Sequence, residues 1–303
     1  MSYRSALPQL GDELFLTDGG IETTLIFHKG LDLPAFAAFV LLRDEAGTDE
    51  LRSYYTPYLE LARERGSGFV LEAPTWRASP RWAAELGLSG EELDALNRKA
   101  IALMEELRDG AGVPAVISGC IGPQDDGYNP STMLSAAEAR DYHSAQITTF
   151  RDTAADMVTA LTMTYADEAA GLAQAAGDAG LPVAISFTVE TDGRLPSGQD
   201  LGDAIEAVDA ATGGAPAYYM LNCAHPTHFD AVLEPGAAWG GRIRGVRANA
   251  SAKSHAELDE GDPAALRGEH AALLAQLPAV TVLGGCCGTD ARHVAEAGAA
   301  WAR

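Results

Sequence analysis

Short apolar runs recur at nearly regular intervals along the chain of 303 residues, and each ends in glycine, asparagine, cysteine or acidic residues. Their length and their β-branched content are typical of buried strands. Eight such runs are candidate strands: Leu14–Thr17, Gly68–Leu71, Ala115–Ser118, Met157–Leu161, Val183–Phe187, Tyr218–Leu221, Ile243–Val246 and Thr281–Leu283. Because the runs are apolar on both faces, they indicate a parallel sheet that is covered on both sides.

Helix-like segments lie between most of these runs, and several begin at Ser, Thr or Asp in an N-cap position. They are Thr48–Arg65, Ser89–Arg108, Ala136–Ala155, Ala166–Ala179, Gly202–Thr212, Pro226–Leu233 and Pro263–Leu277. Strand–helix alternation predicts an α/β protein. Eight units in about 300 residues fit a closed (β/α)₈ TIM-type barrel better than an open Rossmann sheet, which usually has fewer strands. We expect one barrel domain over residues 1–303.

Nucleotide binding has neither of its two commonest signatures in this chain. The first run leads into Asp18-Gly19-Gly20-Ile21-Glu22, which is not the G-x-G-x-x-G of a dinucleotide-binding fold. No G-x-x-x-x-G-K-[ST] occurs either. A further argument comes from the charge: 43 acidic and 21 basic residues give a net charge of −22, which repels phosphate backbones and anionic lipid. We therefore expect no nucleic-acid partner and no membrane association.

The termini and the cysteines indicate the compartment. The N-terminal segment has no apolar region followed by a small-residue cleavage site, and no stretch approaches the ~18 apolar residues of a membrane span. We therefore predict a cytoplasmic protein. Four cysteines are too few to staple a chain of this length, and a reducing compartment would keep them as thiols.

Polar and thiol side chains follow the strand candidates at the end where a barrel of this kind builds its active site. These residues are Asp18, Glu72, Thr75, Cys120, Glu190, Asn222, Cys223, Asn249, Cys286 and Cys287. All four cysteines of the chain are among them. The sequence thus predicts that the cysteines have a chemical role and do not form structural disulfides.

Cys223 and the adjacent pair Cys286-Cys287 form the sharpest constellation. Strands six and eight contribute to the same layer of an eight-stranded barrel, so three sulfurs are able to converge there. Three thiolates at about 2.3 Å from Zn²⁺ leave one tetrahedral position open, as in catalytic zinc sites. Buried apolar packing of the three thiols is the alternative, and on spacing alone the two interpretations have about equal weight.

Several of these motifs resemble those of a known family, the zinc-dependent homocysteine S-methyltransferases. The matching elements are Leu16-Thr17-Asp18-Gly19-Gly20, Gly119-Cys120-Ile121-Gly122-Pro123, Ser186-Phe187, Asn222-Cys223 with Pro226, Asn249, and Gly284-Gly285-Cys286-Cys287-Gly288-Thr289. They occur in the family's order over nearly the whole chain. The N-C element together with G-G-C-C-G-T is specific, whereas the other elements alone are weak.

The resemblance implies a methyltransferase in which Cys223, Cys286 and Cys287 bind Zn²⁺ and an acceptor thiol takes the open position. Asp18 matches the acidic residue that recognises the substrate's α-ammonium. The other residues that the resemblance brings to the substrate site are Glu22, Thr75, Cys120, Thr162, Asn222 and Asn249. The implied reaction transfers a methyl group from a small donor, with S-methylmethionine or S-adenosylmethionine favoured over betaine, to homocysteine, giving methionine. A homo-oligomer is also compatible with the sequence.

This chain departs from the family pattern at the end of strand four. Where the family has a glutamate in an E-T pair, this chain has Leu161-Thr162. The T-N-T element after strand two likewise reads Ala73-Pro74-Thr75, and Cys120 replaces a serine. Without that glutamate the identity of the acceptor is open, and three other carboxylates are candidates to replace it: Glu22, Glu72 and Glu190.

Alternative functions follow from the same residues. One is methyl transfer to a different small thiol or selenol, another is a metal-dependent hydrolase or lyase, and a third is a thiol sensor without catalytic activity. Cys223, His225 and His228 form a second metal-cluster candidate, with His228 more typical of a helix start and His225 a candidate to orient a ligand. Trp76 and Trp82, with Arg77 and Arg81, are candidates for a wall that binds a cationic donor.

Overall fold

Eight parallel strands close into a barrel in the computed structural model, which describes residues 2–230, 232–233, 237–253 and 261–301. The strands are β1 Phe15–Leu16, β2 Gly68–Glu72, β3 Ala115–Ile121, β4 Met157–Met163, β5 Val183–Phe187, β6 Tyr218–Asn222, β7 Ile243–Ala248 and β8 Val282–Gly285. Each strand pairs with its sequence neighbours, and β1 pairs with β8. The predicted (β/α)₈ barrel is confirmed, while one domain over residues 1–303 stays a prediction.

All eight predicted runs coincide with strands, and most strands continue beyond the run at their carboxyl ends. β3, for example, continues to Ile121 because Gly119, Cys120 and Ile121 pair with β4. The ladder thus includes residues whose side chains face the active-site end. Hydropathy alone does not mark such residues as strand.

Nine α-helices lie on the described part of the chain. They are α1 Glu45–Arg65, α2 Pro80–Glu85, α3 Gly90–Asp109, α4 Ala136–Arg151, α5 Ala166–Ala179, α6 Leu201–Thr212, α7 Pro226–Asp230, α8 Pro263–Gln276 and α9 Ala291–Ala300. The sequence did not predict α2 or α9. Predicted α4 was too long, because its C-cap is at Asp152. Of the predicted segment Pro226–Leu233, α7 covers Pro226–Asp230, and residue 231 lies outside the described residues.

Side-chain caps explain where several helices begin. Ser89 accepts a hydrogen bond from the backbone N–H of Glu92, whose carboxylate accepts from the N–H of Ser89. Ser135 and Glu138 form the same capping box before α4. Each box satisfies two of the N–H groups that a helix start leaves unpaired.

The barrel interior changes from apolar to polar along its axis. Its amino-terminal half is filled by an apolar cluster that includes Phe15, Val70, Met157 and Val282, with Leu7 packed among them. Polar side chains occupy the other end: Glu72, Ser118, Thr159, Asn222 and Arg247 are all buried. The polar chemistry of the core is therefore concentrated at the carboxyl end of the strands, where barrel enzymes place their sites.

No helix among the described residues combines the length and the apolar character that crossing a membrane requires.

Candidate active site

Three sulfur atoms meet at the carboxyl end of the barrel. The Sγ atoms of Cys223, after β6, and of Cys286 and Cys287, after β8, all lie within 4.8 Å of one another. Cys223 and Cys286 form a disulfide with Cα atoms 5.4 Å apart, and the Cys287 Sγ lies 3.7 Å from that of Cys223. The prediction of four thiols thus holds for Cys120 and Cys287 only, because the same convergence that suits a metal also brings two sulfurs within bonding reach.

Backbone geometry aims these sulfurs at one point. Cys223 adopts a left-handed conformation with φ of 54°, which is uncommon for a residue other than glycine. Asn249 accepts a hydrogen bond from the N–H of Cys287 at 3.0 Å. Gly20 allows the loop that carries Cys286 and Cys287 to pack closely against it, since a Cβ on Gly20 would lie 2.5 Å from the carbonyl oxygen of Cys286. The shape of the sulfur cluster therefore depends on Gly20 and Asn249 as well as on the cysteines.

Asn222 ties the ends of three strands together beside the cluster. Its Oδ1 accepts hydrogen bonds from the N–H of Thr162 at 2.9 Å and from Ser186 Oγ at 2.6 Å. Its Nδ2 donates to Thr162 Oγ1 at 2.8 Å and lies 3.9 Å from Cys286 Sγ. Thr162 has φ of 64° at a register shift between β4 and β5. A β-branched residue in this conformation is strained, and the Asn222 side chain holds it there.

Tyr128 contacts the sulfur cluster and was not predicted from the sequence. Its phenol oxygen lies 3.3 Å from Cys223 Sγ and 3.4 Å from Cys287 Sγ. The loop after β3 carries it, and Asp126 anchors that loop by accepting from the N–H groups of Tyr128 and Asn129. A lone tyrosine in a polar loop gives no signal in a single sequence.

Asp18 is held by protein groups on both carboxylate oxygens. Arg247 Nη1 lies 2.9 Å from Oδ1, which also accepts from Thr17 Oγ1, and Tyr54 donates to Oδ2 at 2.7 Å. Arg247 additionally donates to the carbonyl oxygens of Gly19 and Gly285. Arg247 was not predicted from the sequence, although an arginine at the carboxyl end of a buried strand is a usable signal. The predicted role of Asp18 toward an α-ammonium stays a prediction.

Glu72, Thr75 and Cys120 are all buried. Burial raises the pKa of Glu72 to about 7, against the opposing effects of Arg247, Ser118 and Thr159. Thr75 donates its hydroxyl to the carbonyl oxygen of Cys120 at 2.7 Å. Burial also raises the pKa of the Cys120 thiol. Thr75 and Cys120 therefore interact with each other, and their roles toward substrate stay predictions.

Glu22 is half-buried near the sulfurs. Burial, with a smaller contribution from Asp18, raises its pKa to about 7. The charge of Glu22 in turn raises the pKa of Cys287, after the larger effect of burial. The backbone N–H of Glu22 hydrogen-bonds the carboxylate of the same residue and partly opposes the rise in the pKa of Glu22. Glu190 lies in the loop after β5, where burial and Asp192 raise its pKa.

The predicted aromatic wall is present, but this chain's own arginine occupies it. The guanidinium carbon of Arg77 lies 4.4 Å from the ring centroid of Trp76 and 3.6 Å from that of Trp82. Arg81 lies 5.3 Å from Trp82 and pairs with Asp125 at 2.6 Å. A cationic donor would have to compete with Arg77 for these ring faces.

The two histidines of the second metal-cluster candidate point elsewhere. His225 Nε2 lies 2.9 Å from Glu269 Oε2 and its Nδ1 lies 2.8 Å from Thr227 Oγ1. His228 Nε2 lies 2.9 Å from the carbonyl oxygen of Ala252. Burial lowers the pKa of His225 to about 4. Over the part of the chain that the structure describes, the metal-binding cluster contains cysteines and neither histidine.

The sulfur cluster suits a soft metal ion. Three thiolates and no oxygen ligand are a donor set for zinc rather than for magnesium or calcium. Tetrahedral ligands at about 2.3 Å from zinc lie roughly 3.8 Å from each other, and the separation of Cys223 from Cys287 is 3.7 Å. Reduction of the Cys223–Cys286 disulfide would free the third sulfur.

Comparison with known sequences agrees with this site. The sequence model of the homocysteine S-methyltransferase family matches residues 15–300. The chain belongs to the homocysteine S-methyltransferase family. The prediction of a methyltransferase is thereby confirmed. Among curated proteins, no sequence match is found.

Solved structures with the same fold include the homocysteine methyltransferase MmuM from Escherichia coli. Its metallated form is 20% identical, with a TM-score of 0.71, and the match covers 95% of this chain and 96% of that one. Its oxidised form is 21% identical, with a TM-score of 0.73, covering 94% and 95%. At these identities the likeness shows the shared barrel.

Proposed function

We propose that this protein transfers a methyl group from a small sulfonium donor to the thiol of homocysteine, giving methionine. The observation that carries the proposal is the convergence of the Cys223, Cys286 and Cys287 sulfurs within 4.8 Å in a chain of this family. A hydrolase or lyase would need a base beside the metal to activate water, and both His225 and His228 are bound elsewhere. Methyl transfer is therefore favoured over hydrolysis.

Zinc is the metal that we assign to the three cysteines. When bound, it would lower the pKa of an acceptor thiol from about 8.5 and hold it as the thiolate at neutral pH. The metallated form of MmuM supports a metal in this barrel. A reducing cytoplasm, the compartment that the sequence predicts, would keep Cys223 and Cys286 available as ligands. The homo-oligomer stays a prediction.

The reaction is a displacement at a methyl carbon. The acceptor sulfur forms a new bond to that carbon while the bond from carbon to the donor's sulfonium sulfur breaks, and its electron pair stays on the donor sulfur. The acceptor's thiol proton goes to solvent, so thiol and sulfonium become two neutral thioethers and a proton. Positioning of the two sulfurs in line with the methyl carbon supplies most of the protein's contribution.

We assign Glu22 to the acceptor's ammonium group, in the role that the family's strand-four glutamate would have. Asp18 is less suited, because Arg247, Thr17 and Tyr54 already contact both oxygens of its carboxylate. The carboxylate of Glu22 is hydrogen-bonded by its own backbone N–H but pairs with no described cationic side chain, and its charge is close enough to raise the pKa of Cys287. At the acceptor site a cation would lower the raised pKa of Glu22 and keep it ionised.

Purified, reduced protein tests the proposal. We expect about one zinc per chain by metal analysis, and methionine from homocysteine with S-methylmethionine or S-adenosylmethionine. Cys286→Ser should lose both zinc and activity. Cys120→Ser is the matched control, because Cys120 is buried but lies outside the cluster, and it should retain zinc. No methionine from any donor, betaine included, would sink the proposal.

A second acceptor is favoured by one specific residue. Leu161 places a buried apolar side chain where the family has its glutamate, which fits a thiol or selenol that lacks an ammonium group. Leu161→Glu tests this alternative. If the variant does not improve the KM for homocysteine, the missing carboxylate does not determine acceptor choice.

A further inference from the structure

The guanidinium of Arg77 is buried at the carboxyl end of the barrel without a polar partner. Arg77 is 8% exposed, and among the described residues its side chain forms no hydrogen bond or ion pair, with Nε and Nη1 both enclosed. Its close contacts are the ring faces of Trp76 and Trp82. Stacking of this kind stabilises the positive charge of the guanidinium. It leaves the five N–H donors without hydrogen-bond acceptors, because an aromatic ring face offers none.

Contacts through Trp76 place this guanidinium beside the substrate site. The indole N–H of Trp76 donates to the carbonyl oxygen of Leu161 at 3.2 Å. Leu161 directly precedes Thr162, which Asn222 ties to the strand that leads to Cys223. Arg77 therefore lies one side chain away from the position at which the chain has lost an acidic residue.

The loop after β3 gives a second connection. A Cβ on Gly127 would lie 3.3 Å from the Trp76 ring and 3.1 Å from Thr162. The next residue, Tyr128, contacts two of the three sulfurs. The ring that stacks on Arg77 and the phenol that contacts the sulfurs are thus joined by one tight loop.

Two nearby carboxylates, of Asp126 and Glu22, affect the pKa of Arg77 without forming an ion pair with it. Burial lowers the pKa of Arg77, and Asp126 and Glu22 oppose this effect. Nε and Nη1 of Arg77 have no hydrogen-bond partner among the described residues, so neither carboxylate pairs with them. This end of the barrel therefore holds a carboxylate, Glu22, and a guanidinium, Arg77, that do not pair with each other and that suit a ligand with groups of the opposite charges.

We propose that Arg77 binds the carboxylate of the thiol acceptor. The inference rests on the proposed function, since it assumes that an acceptor thiol reaches the sulfur cluster. A planar guanidinium matches a carboxylate through two parallel hydrogen bonds. Such a ligand, bound through Nη2 and either Nε or Nη1, would satisfy one of the two enclosed nitrogens. The acceptor is then a thiol with a carboxylate, and Arg77 determines this specificity.

Three acceptors separate this role from a structural one: homocysteine, its des-amino analogue, which keeps the carboxylate, and its decarboxylated analogue, which keeps the ammonium. For Arg77→Met we expect the KM of the two carboxylate-bearing thiols to rise about 10- to 100-fold, the range of a lost charge-assisted pair. The KM of the decarboxylated thiol should change less than about threefold. Arg77→Lys should recover part of the loss, because it keeps the charge but not the paired geometry.

Arg81→Met is the matched control. It removes a guanidinium that also faces Trp82 but is already paired with Asp125, so it should not discriminate among the three thiols. Equal losses for all three in Arg77→Met, or a rise in the donor's KM alone, would overturn the proposal. Calorimetric binding of homocysteine and the decarboxylated thiol gives the same comparison without turnover. Failure of the wild-type protein to methylate any thiol would instead count against the proposed function.

Discussion

Asp18 and Arg247 form an ion pair inside the barrel, with 2.9 Å between Oδ1 and Nη1 and with the two residues 3% and 5% exposed. Arg247 comes from β7 and Asp18 from the end of β1, so the pair spans β8. Desolvation of two charges is offset here by further hydrogen bonds from Tyr54 and Thr17 to the carboxylate. The pair thus fixes the loop that leads to Glu22.

Asp18→Asn should lower the free energy of unfolding by about 3–5 kcal/mol, because it leaves the buried Arg247 charge uncompensated. Urea unfolding measures this change. The control is Asp178→Asn, which breaks an exposed pair with Arg140 and should cost less than about 1 kcal/mol. If Asp18→Asn leaves stability unchanged and raises only the KM of homocysteine, Asp18 serves the substrate and not the fold.

Asn222→Ala should destabilise the protein by at least about 2 kcal/mol. The substitution leaves the N–H of Thr162 and the Ser186 hydroxyl without the acceptor they share, and each unsatisfied buried group costs about 1–3 kcal/mol. Chemical denaturation is again the measurement. Asn129 is exposed and its described bond is a backbone one, so Asn129→Ala should have little effect. Equal stability of the two variants would contradict the network.

The strands and the three cysteines could be predicted because each depends on local pattern. Strand runs are set by hydropathy, and the G-G-C-C-G-T element is continuous in sequence, covering the end of β8 and the residues that follow it. The left-handed backbone at Cys223 and the register shift before Met163 could not be predicted, because both depend on pairing with distant strands. They arise from tertiary structure alone.

The polar contacts of the site were less predictable for a similar reason. Asp18 was predicted from its motif, but its partner Arg247 lies 229 positions further along the chain. Tyr128 lies in a loop whose path is set by Asp125, Asp126 and Glu168. A single sequence shows which residue types are available, and packing decides which of them meet.

Glu72→Gln should change how stability depends on pH. Folding raises the pKa of Glu72 from 4.5 to about 7, so the folded protein holds this proton more tightly than the unfolded chain does. The resulting stabilisation is fully present below the unfolded pKa and is lost as pH rises through about 7. A shift of this size corresponds to about 3 kcal/mol.

We therefore expect Glu72→Gln to gain stability relative to wild type, by up to about 3 kcal/mol, between about pH 5 and about pH 8. Unfolding curves at both pH values measure the difference. Glu60 is an exposed glutamate on α1, and Glu60→Gln should show no comparable change. A difference between Glu72→Gln and wild type that is constant with pH would mean that Glu72 is ionised in the folded protein throughout.

Asn249→Ala should weaken zinc binding without removing a ligand. Asn249 Oδ1 accepts the N–H of Cys287 at 3.0 Å, and loss of a partner that orients a ligand typically costs about 10- to 100-fold in metal affinity. Competition with a chromophoric chelator under reducing conditions measures that affinity, and Asn129→Ala is again the control. Cys287→Ser should bind still more weakly, because it removes a sulfur. Wild-type affinity in Asn249→Ala would show that the glycines around the cysteine pair fix its geometry unaided.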